Sequence, residues 1–138
     1  MVELHCHLDG SIRMSTLKEL LQKKKLSVPS DIKFYPGMGI QEALSKFELT
    51  LSVLQTTDAV ERVVEEICLD AKAFGHSYTE IRFAPQLHRG APIQDIIDAA
   101  IGGLCEHSSI ILCGLYGEHP EILNTLVELA ATRERVVG

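Results

Sequence analysis

The chain has 138 residues, is 46% hydrophobic and 23% charged, and has a mean hydropathy of +0.12, a globular composition that excludes disorder. A formal net charge of -6 argues against nucleic acid or an acidic membrane surface as partner. No apolar run reaches the length of a membrane span, and no charged-then-apolar leader opens the chain. Cys6, Cys68, Cys105 and Cys113 show no C-x-x-C spacing and fall in apolar stretches, which predicts reduced, buried thiols in a cytoplasmic protein.

The first element is a strand through Glu3-Leu4-His5-Cys6-His7-Leu8-Asp9-Gly10-Ser11. Alternation in a strand puts His5 and His7 on one face and Cys6 on the other. Asp9 continues the histidine face where Gly10 and Ser11 break the strand. Two neutral nitrogen donors beside a carboxylate suit a divalent metal. His-x-His is common by itself, so the metal reading rests on the longer string.

Leu17, Leu20 and Leu21 then predict a helix, with Lys23, Lys24 and Lys25 as its solvated C-terminal end. Residues 27–39, with two prolines and two glycines, read as a loop. Ile40, Leu44, Phe47, Leu51 and Leu54 form a second stripe, expected to be mostly core. Asp58 and Glu61 predict an acidic capping box. Val60, Val63, Val64, Ile67, Cys68, Ala71 and Phe74 predict the buried face of a third helix, with Gly75 as its C-cap and His76 as a turn residue.

Tyr78 to Pro85 reads as a strand in which Glu80 and Arg82 share a face, as an ion pair inside a barrel or as chemistry. His88 follows in the loop on the same side as the first strand's end. Ile93, Ile96, Ile97, Ala100, Ile101 and Leu104 predict a helix opened by Pro92. Only Cys105 to Ser108 separate it from an apolar strand, Ser109 to Leu115. Pro120 opens a last helix with Ile122, Leu123, Leu126, Val127 and Ala130 inward, and Arg135 to Val137 begin a fourth strand. Strands alternating with helices predict right-handed βαβ units and a parallel sheet.

The Glu-Leu-His-x-His-Leu-Asp-Gly-Ser string resembles the first-strand signature of the adenosine deaminase family. The Ile-Arg of the second strand and the Ile-Leu-Cys of the third resemble that family too, so the likeness covers most of the chain. It implies an α/β fold, the (β/α)8 TIM barrel. A closed barrel takes about 250 residues, so the chain is expected to hold about its first half, strands 1–3 and the start of strand 4. Residues 1–138 are then the N-terminal part of one barrel domain, with a helical lid over about residues 40–55.

The resemblance also implies chemistry: hydrolytic deamination of adenosine or deoxyadenosine to inosine or deoxyinosine and ammonia, with one Zn2+ lowering the pKa of water to about 7. It makes His5 and His7 metal ligands, and His7, Asp9, Leu44 and Phe47 substrate-binding residues. Ala43 replaces an aromatic lid residue of the family, which predicts a roomier pocket. Tyr116 and Gly117 stand where the family has an Arg-His pair. By the same resemblance Asp9 accepts a hydrogen bond from the ribose 5′-hydroxyl, where adenine deaminases carry Glu and nucleotide deaminases Asn. A short carboxylate welcomes a hydroxyl and repels a phosphate, so the expected partner is a small purine nucleoside. An Asx turn at Asp9 is compatible with that role.

No catalytic residue of the implied set is found within these residues: the further histidine, the aspartate and the proton-shuttling glutamate belong to later strands. Two readings remain beside the deaminase. One is a catalytically incomplete purine-binding or subunit-contact protein. The other is a related deaminase acting on adenine or on a modified adenine nucleoside. The deaminase class that pairs H-x-E with P-C-x-x-C is set aside, since the chain has no P-C-x-x-C. A dihydroorotase-like enzyme is disfavoured by Leu-Asp-Gly-Ser and Phe47.

Overall fold

The computed structural model describes residues 1–29 and 32–138. Residues 30 and 31, part of the expected 27–39 loop, lie outside the described residues. The elements run β1 (Val2–His7), α1 (Met14–Lys23), α2 (Ile40–Val53), α3 (Thr57–Ala73), β2 (Tyr78–Phe83), a 3-10 turn (Pro85–Leu87), α4 (Ile93–Gly102), β3 (Ser108–Leu112) and α5 (Pro120–Ala131). The strands form one parallel sheet in the order β1-β2-β3. The expected fourth strand begins where Val136 bridges Ile110 in parallel, with Val137 N–H donating to the Ile110 carbonyl at 2.9 Å. This is the first half of a (β/α)8 barrel, three strands and the start of a fourth.

The period of two in β2 sets the layers. Thr79, Ile81 and Phe83 are buried against the helices, whereas Tyr78, Glu80 and Arg82 are half-buried on the opposite face, the barrel interior. The core lies between the first face and the helices, around Ile81, Ile110, Val60, Val63, Val64, Ile96, Ile97 and Ala100. Leu8, fully buried directly after β1, anchors the turn that follows. Burying such a side chain stabilises by about 1.5–3 kcal/mol.

Polar groups clamp α1 to α3. Arg62 grips Glu19 through both nitrogens at 3.0 and 2.8 Å and Glu66 at 3.0 Å, while Arg13 holds Asp70 at 2.7 and 3.0 Å. The Schellman pattern at the end of α3 follows from Gly75 at φ +76°: His76 N–H donates to the Ala71 carbonyl and Gly75 N–H to that of Lys72.

Several expectations are corrected. The N-cap of α3 is Thr56, two residues before Asp58; it is extended, and its hydroxyl accepts from Ala59 N–H at 3.3 Å. Phe74, expected inside, is 76% exposed because it is the C-cap, where the helical stripe ends. On α2 the buried residues are Lys46, Thr50 and Val53; Ile40 and Leu44 are exposed. The face turns because Lys46 lies over the Tyr35 ring at 5.5 Å and donates to the Lys33 carbonyl at 2.6 Å. On α5 only Leu126 is buried, and Ile122, Leu123 and Val127 are exposed, because the helix makes few contacts with the other elements. Glu80 and Arg82 share a face but form no ion pair among the described residues: Glu80 accepts from the Tyr78 hydroxyl, and Arg82 donates to the Leu4 carbonyl. Cys68 is buried and Cys6 and Cys113 are half-buried, but Cys105 is exposed, since it sits in the α4–β3 connection and not in a packed element.

Candidate metal centre

The site begins with an irregularity in β1. Val2 and Glu3 pair with Tyr78 and Thr79, but Cys6 and His7 pair with Ile81 and Arg82, so Leu4 and His5 together oppose Glu80. A bulge of this kind leaves backbone groups without ladder partners and re-aims side chains. Two side chains satisfy those groups. The Glu3 carboxylate accepts from His5 N–H at 2.8 Å, and Arg82 Nη2 donates to the Leu4 carbonyl at 2.7 Å.

Beyond the bulge His5 and His7 point to the same face, and Cys6 points away, its thiol 3.2 Å from the Ser11 hydroxyl. The Nε2 atoms of the two histidines are 3.2 Å apart. Two nitrogens about 2.0–2.1 Å from one tetrahedral zinc are about 3.4 Å from each other. The spacing of the donor pair therefore fits a shared cation. Among the described residues no third His, Cys, Asp or Glu completes a ligand set.

Asp9 stands in the turn after β1, beside a 260 Å³ cleft lined also by Gly10, Met14, Phe34, Lys46, Phe47 and Thr50. Burial raises its carboxyl above the ordinary range, opposed by the charges of His7 and His88 and by the amides of Asp9 and Gly10. Its Oδ1 is buried and has no hydrogen-bond partner among the described residues. An acceptor in that position calls for a donor. Phe47 closes over Gly10: a Cβ built there would meet Phe47 Cε1 at 3.5 Å. Phe34 stacks on Phe47 at 5.4 Å, tilted 48°.

The structure thus brings together four of the residues singled out in the sequence, His5, His7, Asp9 and Phe47. Leu44 is not with them: it is 56% exposed and does not line the cleft. Phe34 was missed as a neighbour of the site, whereas His88 lies on the side where the sequence placed it. For Phe34 a signal existed, an aromatic pair with Tyr35 in a loop otherwise poor in large apolar residues. His88 is 2% exposed, its Nδ1 bonded to the Leu54 carbonyl and its ring edge-on to Phe83 at 5.4 Å. Burial holds its pKa below the usual histidine value, against the Leu54 carbonyl and the Asp9 charge. His76, at the other end of β2, faces away from this site as a turn residue and stacks on Phe74 at 6.5 Å.

A parallel half-barrel with paired imidazoles at the C-terminal mouth of its first strand defines a barrel of the amidohydrolase type. Residues 1–138 match the family model for adenosine deaminase, and the chain belongs to that family. It is 36% identical to an adenosine deaminase of Clostridium acetobutylicum over 94% of this chain and 44% of the relative. It is 30% identical to one from Enterococcus faecalis over 94% of this chain and 43% of that relative. The apo structure of an N6-methyl-AMP deaminase from Arabidopsis thaliana superposes with a TM-score of 0.80 at 27% identity, over 99% of this chain and 47% of its own. The chain spans less than half the length of these proteins.

Proposed function

We propose that this chain is the metal-binding and sugar-binding part of a zinc-dependent deaminase that converts adenosine or deoxyadenosine to the 6-oxo nucleoside and ammonia. The observation that carries it is the 3.2 Å separation of the His5 and His7 Nε2 atoms at the barrel mouth, near Asp9, whose buried Oδ1 has no hydrogen-bond partner among the described residues. When bound, zinc supplies a water acidified to near neutral pKa.

The chain's own residues do the rest of what is assigned to them. His5 and His7 hold the cation, and Arg82 and Glu3 fix the bulge that aims them. Asp9 accepts from the sugar hydroxyl. Phe47, stacked on Phe34, covers the apolar side of the cleft, so α2 serves as the lid. The catalytic proton shuttle is assigned to strands beyond β3 and Val136, so residues 1–138 by themselves are expected to be inactive.

The nucleoside reading is preferred over a nucleotide because a phosphate next to Asp9 meets an anion. The relatives leave a nucleotide substrate as the competing reading, since the Arabidopsis thaliana neighbour is an N6-methyl-AMP deaminase. The test uses a protein that carries this chain within a closed barrel. Adenosine, adenine, AMP and N6-methyl-AMP are compared by ammonia release, with and without His5→Ala. Turnover of adenosine that His5→Ala abolishes supports the reading. Full activity in His5→Ala, or preference for AMP, overturns it.

A further inference from the structure

The N-terminal ends of the strands carry a second cluster, with no part in the site above. Cys68, 4% exposed, points inward from α3, and Cys105 is exposed in the connection from α4 to β3. Ser108 lies between them, its hydroxyl 3.3 Å from Cys68 Sγ and 3.4 Å from Cys105 Sγ. The backbone N–H of Cys105 donates to Cys68 Sγ at 3.3 Å. Two thiols that share one hydroxyl neighbour are within two hydrogen-bond lengths of each other.

The connection is held against α3. A Cβ built on Gly103 would sit 2.3 Å from the Glu61 carbonyl oxygen, so the backbone passes in direct contact with that helix. The Ser108 hydroxyl donates to the Cys105 carbonyl at 2.9 Å, and the Arg135 guanidinium bonds the carbonyls of Cys105 and Ser108. A 390 Å³ cleft lined by both cysteines, Glu61, Glu65 and Lys72 gives small molecules access to them.

The two thiols differ in acidity in the sense that a disulfide-forming pair needs. Burial raises Cys105, but hydrogen bonds from Ser108, Cys68 and the local backbone outweigh it, so its thiol lies below the ordinary value. Burial raises Cys68, and its hydrogen bonds do not compensate. The exposed, more acidic sulfur is the attacking group in thiol exchange, and a buried neighbour acts second.

We propose that Cys105 and Cys68 form a dithiol site that reacts with low-molecular-weight disulfides and closes as a reversible intramolecular disulfide. The Cys105 thiolate attacks one sulfur of the small disulfide, forming a mixed disulfide and releasing the first small thiolate. Cys68, losing its proton to that thiolate, attacks Cys105 Sγ and releases the second. The two protein thiols are oxidised by two electrons, and the small disulfide is reduced to two thiols. The bond ties α3 to the segment that leads into β3, at the end of the sheet away from His5 and His7.

The experiment treats the native chain with oxidised glutathione at neutral pH, quenches it with acid, and maps it by mass spectrometry after digestion at Lys, Arg and Glu. Cleavage after Glu106 separates Cys105 from Cys113. The expected product is a Cys68–Cys105 cross-linked peptide, reversed by dithiothreitol. Cys105→Ser leaves Cys68 unmodified, and Cys68→Ala stops at a glutathione adduct on Cys105. The wild-type map decides by itself if Cys68→Ala does not fold. A stable glutathione adduct on wild-type Cys105 without the cross-link overturns the proposal, as does faster reaction of Cys6 or Cys113.

Discussion

Arg82 on β2 donates to the carbonyl of Leu4 at 2.7 Å, across the bulge that turns His5 toward His7. Among the described residues no hydrogen bond joins the arginine to either imidazole, yet it holds the backbone from which both rings project. Side chains that orient metal ligands in this way typically change affinity by about ten- to a hundredfold when removed. Arg82→Met is therefore expected to weaken zinc binding by about that factor. Competition against a chromophoric chelator measures it. An unchanged affinity would show that the bulge holds its shape without the arginine.

Asp9 is predicted to recognise one hydroxyl group, and a substrate lacking that group tests it. A hydrogen bond to a charged group contributes about 1.5–3 kcal/mol, or about ten- to a hundredfold. In a protein with the whole barrel, Asp9→Ala is expected to lower kcat/KM for adenosine by about that factor. For 5′-deoxyadenosine, wild type and variant are expected to be equal. An equal loss on both substrates would mean that Asp9 only shapes the turn before Gly10.

Much of this was legible in the sequence, for physical reasons that also mark its limits. The period of two placed His5 and His7 on one face, and the helical period found α3 and α4, because both elements pack one face on the sheet. The bulge was not legible. It is a relation between β1 and β2, and neither strand carries it alone. On α2 the expected stripe holds at Leu54 but not at Ile40 and Leu44, and Lys46 is buried instead by its partners Tyr35 and the Lys33 carbonyl, which hydrophobic pattern does not count. The stripe on α5 was real in composition, but only Leu126 has a neighbour to pack on deeply enough to be buried. His88 was left without a role, since its closeness to Asp9 depends on the turn at Leu54 and Gln55, far away in sequence.

That turn yields a stability prediction. Gln55 receives Arg89 N–H at 2.8 Å and donates to the Leu87 carbonyl at 3.1 Å, which pins the loop carrying His88. Gly90 lies so close that a Cβ would sit 1.9 Å from the Gln55 carbonyl oxygen, an atom of the backbone that cannot swing aside. Gly90→Ala is expected to destabilise by about 1–3 kcal/mol or more. Gly102→Ala meets only the mobile end of Glu61 at 3.1 Å, and is expected to stay within about 0.5 kcal/mol of wild type. Urea unfolding of both variants measures the contrast.

His88 should make the fold sensitive to mild acid. Its pKa is lowered in the fold by burial, so above about 6.5, the ordinary histidine value, both folded and unfolded chains hold it neutral and stability is complete. Below that value the unfolded chain takes up a proton that the folded chain refuses. Stability then falls by up to about 1.4 kcal/mol per pH unit until the folded pKa is reached. Glu19 acts in a separate window. Arg62, then Lys23, hold its pKa to about 2, so its contribution is present above its ordinary value of 4.5 and is lost only between there and about 2. His88→Asn keeps a donor for the Leu54 carbonyl and removes the titration. It is expected to flatten the fall of the unfolding midpoint as the pH drops below 6.5, while the part of the loss that Glu19 contributes below 4.5 remains. A variant as acid-sensitive as wild type just below pH 6.5 would assign the effect to another histidine.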